Sequence, residues 1–82
     1  MTQCPWKIHW AAGQEHTTQC GRNRHSDQHH RGRHPNPDSS TGYTVIQWIA
    51  GDRREYTGEW PGPCVETPGC VLHTRHKGRC AT

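Results

Sequence analysis

The chain has 82 residues and a formal net charge of +3, and only 28% of its residues are hydrophobic. Leu, Ile, Val and Phe occur one, three, three and no times, far below the roughly 20% under which a chain is expected to stay disordered. A conventional apolar core is therefore excluded, and small domains of this kind are held by disulfides, a metal ion or a partner.

Five cysteines and eight histidines suggest which of these applies. The N-terminal sequence MTQCPWKIHW lacks a charged start followed by an apolar run, so we expect no signal peptide, and no stretch approaches transmembrane length. Cysteines outside the secretory route are expected to be thiolate ligands, and their odd number indicates the same. We therefore expect a cytoplasmic metal protein without a membrane partner.

The N-terminal part of the chain predicts one short strand. Trp6, Ile8 and Trp10 alternate with polar residues directly after Cys4, which is the period of a half-buried strand. Residues 25–33 are expected to form one or two helical turns at most.

The central part of the chain predicts a β-hairpin over residues 43–57. Residues 43–50 (YTVIQWIA) are rich in β-branched and aromatic residues. Gly51 and Asp52 suit a two-residue turn, after which residues 53–57 would return as the second strand.

A spacing of cysteine and histidine occurs twice and is the strongest signal in the sequence. Each unit has a cysteine, a histidine after four or five residues and a further ligand after three more, and one additional cysteine lies upstream. Thiolate and imidazole groups at such spacing suit a tetrahedral zinc ion. The predicted ligand sets are Cys4, Cys20, His25 and His29, and Cys64, Cys70, His76 and Cys80.

Three other histidines lie near enough in sequence to replace a predicted ligand. His16 would replace Cys4, His30 would replace His29, and His73 would replace His76. In either case four protein ligands leave no position for water or substrate, so we expect two structural Zn2+ ions whose binding energy contributes to folding.

Together these features predict a small β-rich, metal-stabilised domain with little helix, spanning residues 1–82. The first zinc site occupies residues 4–34, the hairpin residues 43–57 and the second zinc site residues 64–80. Two zinc knuckles would thus flank the hairpin.

Basic residues concentrate around both predicted sites. Because arginine suits phosphate contact and a zinc knuckle would hold it rigidly, we expect a non-catalytic module that contacts nucleic acid. The residues concerned are Arg22, Arg24, Arg31, Arg33, Arg75, Lys77 and Arg79. Residues 35–69, in the middle of the chain, carry five acidic residues and only two basic ones. A protein-interaction or virion accessory role is the alternative, because this acidic segment and the tryptophans fit a protein partner equally well.

A His-metal nuclease is the third hypothesis. Residues 25–38 (HSDQHHRGRHPNPD) are rich in the groups such a centre uses, namely Asp27, His29, His30, His34, Asn36 and Asp38. Zinc already claims two of the histidines, however, and no phosphate-binding glycine loop or nucleophile motif is visible. We therefore expect no catalysis.

The segments QCGRNRHSDQHH and GCVLHTRHKGRC resemble the Cys-x4–5-His-x3-His/Cys knuckle of small zinc proteins from actinobacteria and their bacteriophages. HKGRC carries the glycine that is common in this knuckle, whereas HSDQH lacks it. The resemblance covers about a quarter of the chain. It implies bound zinc and, for a phage protein, a location in the host cytoplasm or the virion, but no activity.

Overall fold

The computed structural model describes residues 2–81, and all of its regular structure is β-strand. The strands are β1 (Trp6–Ala12), β2 (Gln14–Gln19), β3 (His29–Pro35), β4 (Tyr43–Ile49) and β5 (Glu55–Thr57). The predicted β-rich class with little helix is confirmed, since residues 2–81 contain no helix. Accordingly, the described chain offers no helix with the length and apolar character to cross a membrane.

The first sheet has three antiparallel strands in the order β2-β1-β5. β1 and β2 form a hairpin around Gly13, whose φ of 77° is the left-handed conformation that glycine adopts without strain. β5 lies on the opposite edge of β1, where Trp6 pairs with Thr57 and Ile8 with Glu55. The strand predicted from the alternation after Cys4 is thus confirmed, and it is the central strand of the sheet.

The second sheet is a two-stranded antiparallel ribbon of β3 and β4, in register from His29 opposite Ile49 to Pro35 opposite Tyr43. The helical turns expected over residues 25–33 are therefore wrong, because β3 begins at His29.

The pairing predicted for residues 43–57 is also wrong, although both predicted strands exist as β4 and β5. The chain does turn after β4, where the Asp52 N–H donates to the Ile49 carbonyl at 3.2 Å, but the turn leads β5 into the first sheet. Glu55 and Tyr56 are adjacent on β5 and both are buried. Since neighbouring strand residues face opposite sides, pairing with β1 buries each of them against a different layer.

Both faces of the first sheet are covered. On one face, Ile8 packs with Trp48 from the inward side of the ribbon and with the first pair of cysteines. On the other face, His9 stacks on Trp60 with ring centroids 3.8 Å apart, and Tyr56 lies 5.1 Å from the same tryptophan. Aromatic and histidine rings therefore fill the interior where larger proteins place Leu and Phe.

The ribbon crosses β2 in close backbone contact at Gly32. A Cβ atom at this position would lie 2.8 Å from the Thr18 Cγ2 atom and would collide with the Gln19 carbonyl oxygen. Next to it, the Gly21 N–H donates to the Arg31 carbonyl at 2.8 Å. Only glycine fits this crossing, which sets the position of β3 over the first sheet.

The C-terminal segment, residues 58–81, has no strand but is organised by loop hydrogen bonds. The Cys64 N–H donates to the Leu72 carbonyl at 2.9 Å, and the Leu72 side chain is buried. The buried His73 ring joins this segment to the first sheet, since its Nε2 atom lies 3.1 Å from the carbonyl oxygen of Glu55.

Candidate metal centres

The first Cys/His cluster lies at the open end of the β1–β2 hairpin. Cys4 precedes β1, Cys20 follows β2, His25 lies in the next loop and His30 lies on β3. One ligand atom from each residue lies within 4.8 Å of all the others. The Cys4 sulfur is 3.4 Å from His30 Nδ1, and the Cys20 sulfur is 3.6 Å from His25 Nε2. This group can hold one metal ion.

The structure corrects the predicted fourth member of this cluster, because His30 and not His29 joins it. Neighbouring residues of β3 point to opposite faces, so only one of the two histidines can face inwards. His30 is buried, whereas His29 is exposed and its Nε2 atom lies 2.9 Å from Gln47 Oε1. His30, which the sequence analysis gives as the alternative to His29, is therefore the member of the cluster.

The other two alternative histidines lie outside the clusters. His16 packs against Trp10 with ring centroids 4.4 Å apart. His73 contacts two backbone carbonyls, and its ring centroid is 6.3 Å from that of His76. Cys4 and His76 accordingly occupy the positions predicted for them.

A carboxylate lies beside each histidine of the first cluster, on the side away from the thiols. His25 Nδ1 lies 3.1 Å from Asp27 Oδ1, and His30 Nε2 lies 3.0 Å from Glu55 Oε1. A carboxylate of this kind fixes the ring of a metal-bound histidine and increases its basicity. Asp27 is itself bonded to Arg22 at 2.6 Å, and this guanidinium lowers the pKa of the carboxyl to about 2.

The second cluster contains the four predicted residues, and the structure brings all of them together. The Cys64 and Cys80 sulfurs are 3.6 Å apart. His76 Nε2 lies 3.7 Å from the Cys70 sulfur and 3.6 Å from the Cys80 sulfur. This group can hold a second metal ion.

None of the five cysteines forms a disulfide. A disulfide would place two sulfurs about 2.05 Å apart, and the 3.6 Å between Cys64 and Cys80 is the spacing of two atoms around a shared ion instead. The distances fit coordination and do not fit oxidation.

In each cluster, one thiol has a lowered pKa. Burial raises the pKa of both thiols. For Cys20, hydrogen bonds from the backbone of Arg31 and Arg22 and from the ring of His25 outweigh burial and lower the pKa to about 6. Backbone hydrogen bonds at Leu72 and Ala81 lower the pKa of the Cys70 thiol to about 7, again against the effect of burial. Thiolate is the form that binds a metal ion, so both shifts favour binding.

A basic groove of about 1130 Å³ lies beside the first cluster. We call the outward face of the ribbon its floor, and the segment from Gln19 to Asn23 together with Gln3 its wall. The lining residues are Gln3, Gln19, Gly21, Arg22, Asn23, Arg31, Gly32, Arg33, Tyr43, Val45 and Gln47. Three of the seven predicted basic residues thus share one surface.

The other predicted basic residues lie elsewhere. Arg24 borders a small cavity beside the first cluster. Arg75 and Lys77 line a separate cavity of about 250 Å³ with Trp6. Arg79 lies in the second cluster's loop, where its carbonyl accepts a hydrogen bond at 2.9 Å from the Arg53 side chain. The seven residues therefore do not form one continuous surface patch around the groove.

The six residues considered for a nuclease centre are dispersed. His30 belongs to the first cluster, and His34 Nδ1 lies 3.3 Å from the Thr18 hydroxyl. The Asn36 amide donates to the Thr44 hydroxyl at 2.9 Å. Asp27, His29 and Asp38 have separate surroundings and do not join a three-residue ligand group with the others in residues 2–81.

Comparisons with models of protein families, with curated proteins and with solved structures found no match to this chain. The resemblance to small zinc proteins of actinobacteria and bacteriophages therefore stays a prediction.

Proposed function

We propose that this chain is a zinc-stabilised, non-catalytic module that binds nucleic acid through the basic groove. The observation that carries the proposal is the placement of Arg22, Arg31 and Arg33 in one groove beside a metal cluster. No described residue that lines this groove carries a carboxylate, but Arg22 is paired with Asp27 beside it. Arg31 and Arg33 therefore carry the positive charge that is left for a phosphate.

Zinc is supported by the identity and spacing of the ligand atoms. Zn–S bonds of about 2.3 Å and Zn–N bonds of about 2.0–2.1 Å place the atoms of a tetrahedron about 3.5–3.8 Å apart. The nearest ligand atoms lie 3.4–3.7 Å apart in the two clusters. Two cysteines with two histidines, and three cysteines with one histidine, are both common sets for structural zinc.

A structural role for the ions follows from the ligand number and from the composition. Four protein ligands fill a tetrahedral ion and leave no position for a substrate or a reactive water. The chain has few apolar residues to bury, so metal binding would supply much of the folding free energy. A cytoplasmic compartment, which keeps thiols reduced, suits five unpaired cysteines.

The arginines of the groove lie on a strand that also belongs to the first cluster. Arg31 and Arg33 lie on the outward face of β3, and the neighbouring His30, a member of the cluster, faces inwards on the same strand. The ion would therefore hold the strand that presents both guanidinium groups. Arginine binds phosphate oxygens in pairs, and such contacts fix a nucleic acid on its protein without reading its sequence.

The test measures binding of a fluorescein-labelled 30-nucleotide DNA strand at increasing KCl concentration. Arg31→Gln/Arg33→Gln should bind more weakly than the wild type, with a salt slope reduced by about 1.4 if each arginine neutralises one phosphate. Arg75→Gln/Lys77→Gln, which removes the same charge outside the groove, is the matched control. Zinc content is measured for both variants to show that they are folded. Absence of binding by the wild type at low salt would refute the proposal.

A protein partner is the second candidate, and exposed valines near the second cluster favour it. Val65 and Val71, which follow the cluster residues Cys64 and Cys70 in sequence, are 84% and 52% exposed, and a protein partner could cover them. A protein contact there would be lost in Val65→Ser/Val71→Ser and kept in Arg31→Gln/Arg33→Gln. Nucleic-acid binding through the groove predicts the opposite pattern.

A further inference from the structure

We propose that the groove binds single-stranded nucleic acid in preference to a duplex, with a base stacked on a platform made of Arg33 and Tyr43. This inference rests on the proposed function and specifies its ligand.

The shape of the groove favours a single strand. The major groove of a DNA duplex, about 12 Å wide and about 8.5 Å deep, is read by a helix or ribbon that protrudes from its protein. Here the outward face of the ribbon is the floor of a concave groove, and the segment from Gln19 to Asn23 stands beside it as a wall. A single strand can lie along such a floor with its bases turned towards the protein.

On the floor, the guanidinium of the exposed Arg33 lies over the Tyr43 ring, and the outer side of this pair is the surface on which a base would stack. The Arg33 guanidinium carbon lies 4.6 Å from the centre of the Tyr43 ring. The two residues are diagonal neighbours on the ribbon, since Arg33 pairs with Val45 and Pro35 with Tyr43. Bases of single strands stack on aromatic rings and on arginine planes. A base inside a duplex is already stacked between its neighbours and cannot make this contact.

The wall is held in place by the first cluster. The Gln19 side-chain amide donates to the carbonyl of Cys4 at 3.1 Å, and the Gln3 amide donates to the carbonyl of Cys20 at 3.0 Å. Both acceptors belong to predicted metal ligands. Two side-chain amides that can hydrogen-bond to base edges are therefore fixed in the groove, so that binding of a strand costs little side-chain entropy there.

The experiment compares four labelled 12-nucleotide probes at one salt concentration. They are a mixed-sequence DNA strand, the same strand as RNA, the blunt DNA duplex of that sequence, and the DNA strand with abasic sugars at its central positions. The proteins are the wild type, Tyr43→Leu, and Tyr43→Phe as the control that keeps the ring. Zinc content again reports folding.

We expect the DNA or RNA strand to bind at least about tenfold more tightly than the duplex. Tyr43→Leu should weaken binding of the unmodified strand on the order of tenfold, Tyr43→Phe should not, and the abasic strand should bind both variants equally. A duplex bound as tightly as either strand would overturn the preference for single strands, even if binding still depends on Arg31 and Arg33. Equal binding of the unmodified strand by the leucine and phenylalanine variants would overturn the platform. Failure of every probe to bind the wild type would instead refute the proposed function itself.

Discussion

The Glu55 carboxylate lies 3.0 Å from Nε2 of His30, while Nδ1 of the same ring lies 3.4 Å from the Cys4 sulfur. Both the carboxylate and the imidazole are buried, with side chains 4% and 5% exposed. Burial of a carboxylate is costly unless it is paired, so its position against a histidine of the first cluster indicates a specific role. Glu55 also joins β5 to the ribbon, and its Oε2 atom accepts a hydrogen bond from the Gly51 N–H at 2.8 Å.

Replacement of Glu55 should therefore lower the metal affinity of the first cluster and leave that of the second unchanged. We expect Glu55→Gln to lower metal affinity there by about tenfold, the lower end of the roughly 10–100-fold that loss of such a carboxylate costs, because the amide still fills the space. Competition with a chromophoric chelator measures the affinity of each site. Glu59→Gln, a change of the same kind at an exposed position, is the control. An unchanged affinity in Glu55→Gln would show that the carboxylate does not support the ligand.

Two adjacent histidines provide a direct test of the ligand set. His30→Ala should lose the ion of the first cluster, since it removes a buried ring at ligand distance, whereas the exposed His29→Ala should keep both ions. We expect the affinity at the first site to fall by more than about 100-fold in His30→Ala, because loss of a supporting carboxylate alone costs roughly 10–100-fold. Metal content of dialysed protein by plasma mass spectrometry gives the answer, and two ions in His30→Ala would contradict the structure.

The strand crossing at Gly32 predicts a strong effect of one added methyl group. Gly32→Ala should lower the free energy of unfolding by about 1–3 kcal/mol or more, because the new Cβ atom meets the backbone of β2. Gly21→Ala is the matched control, since its nearest neighbour would be the Arg31 carbonyl oxygen at 3.6 Å, an ordinary contact. Thermal unfolding of the metal-loaded proteins compares them. Equal midpoints would show that β2 and β3 do not cross as described.

Metal affinity should fall on acidification. The pKa values of about 6 for Cys20 and about 7 for Cys70 lie below the ordinary thiol value of 9.0. At these two sulfurs the folded state therefore favours thiolate, and the stabilisation from this preference is fully present above 9.0 and is lost as the pH falls towards 7 for Cys70 and 6 for Cys20. Protons then compete with the metal for the same sulfurs. An indicator titration from about pH 8 to about pH 5 should show release over this range, and constant affinity would contradict it.

The sequence predicts the metal clusters well because their signal is local in spacing and exceptional in composition. All four residues of the second cluster, and three of the first, come together as the spacing indicates. β1 and β4 can also be predicted from the sequence. The alternation of Trp6, Ile8 and Trp10 and the β-branched residues of β4 are strong strand signals.

β3 was not predicted because its sequence HHRGRHP contains no aliphatic or aromatic core residue. Its inward positions are His30, Gly32 and His34, so the alternation is invisible to a hydrophobicity pattern. Without a predicted strand here, the spacing from His25 favours His29 as the fourth ligand, because it fits a helical turn. A strand interpretation of this segment, with the glycine and two histidines on one face, would have selected His30.

The pairing of β4 and β5 and the role of Glu55 depend on contacts between distant parts of the chain. A plausible turn at Gly51 and Asp52 favours a local hairpin, yet the turn leads into the other sheet. His30 and Glu55 lie far apart in sequence, and no motif links a carboxylate to a histidine over such a distance. These features follow from the tertiary packing and not from local preference.

Native mass spectrometry of the untagged protein, with and without a chelator, tests the central claim that two structural zinc ions hold this fold. We predict a mass increment of two zinc ions on a narrow set of low charge states. Chelation should remove both ions and shift the protein to the broad, high charge states of an unfolded chain, since metal binding and folding are coupled. Low charge states that persist after complete metal removal, or a mass reduced by pairs of hydrogens, would contradict the account.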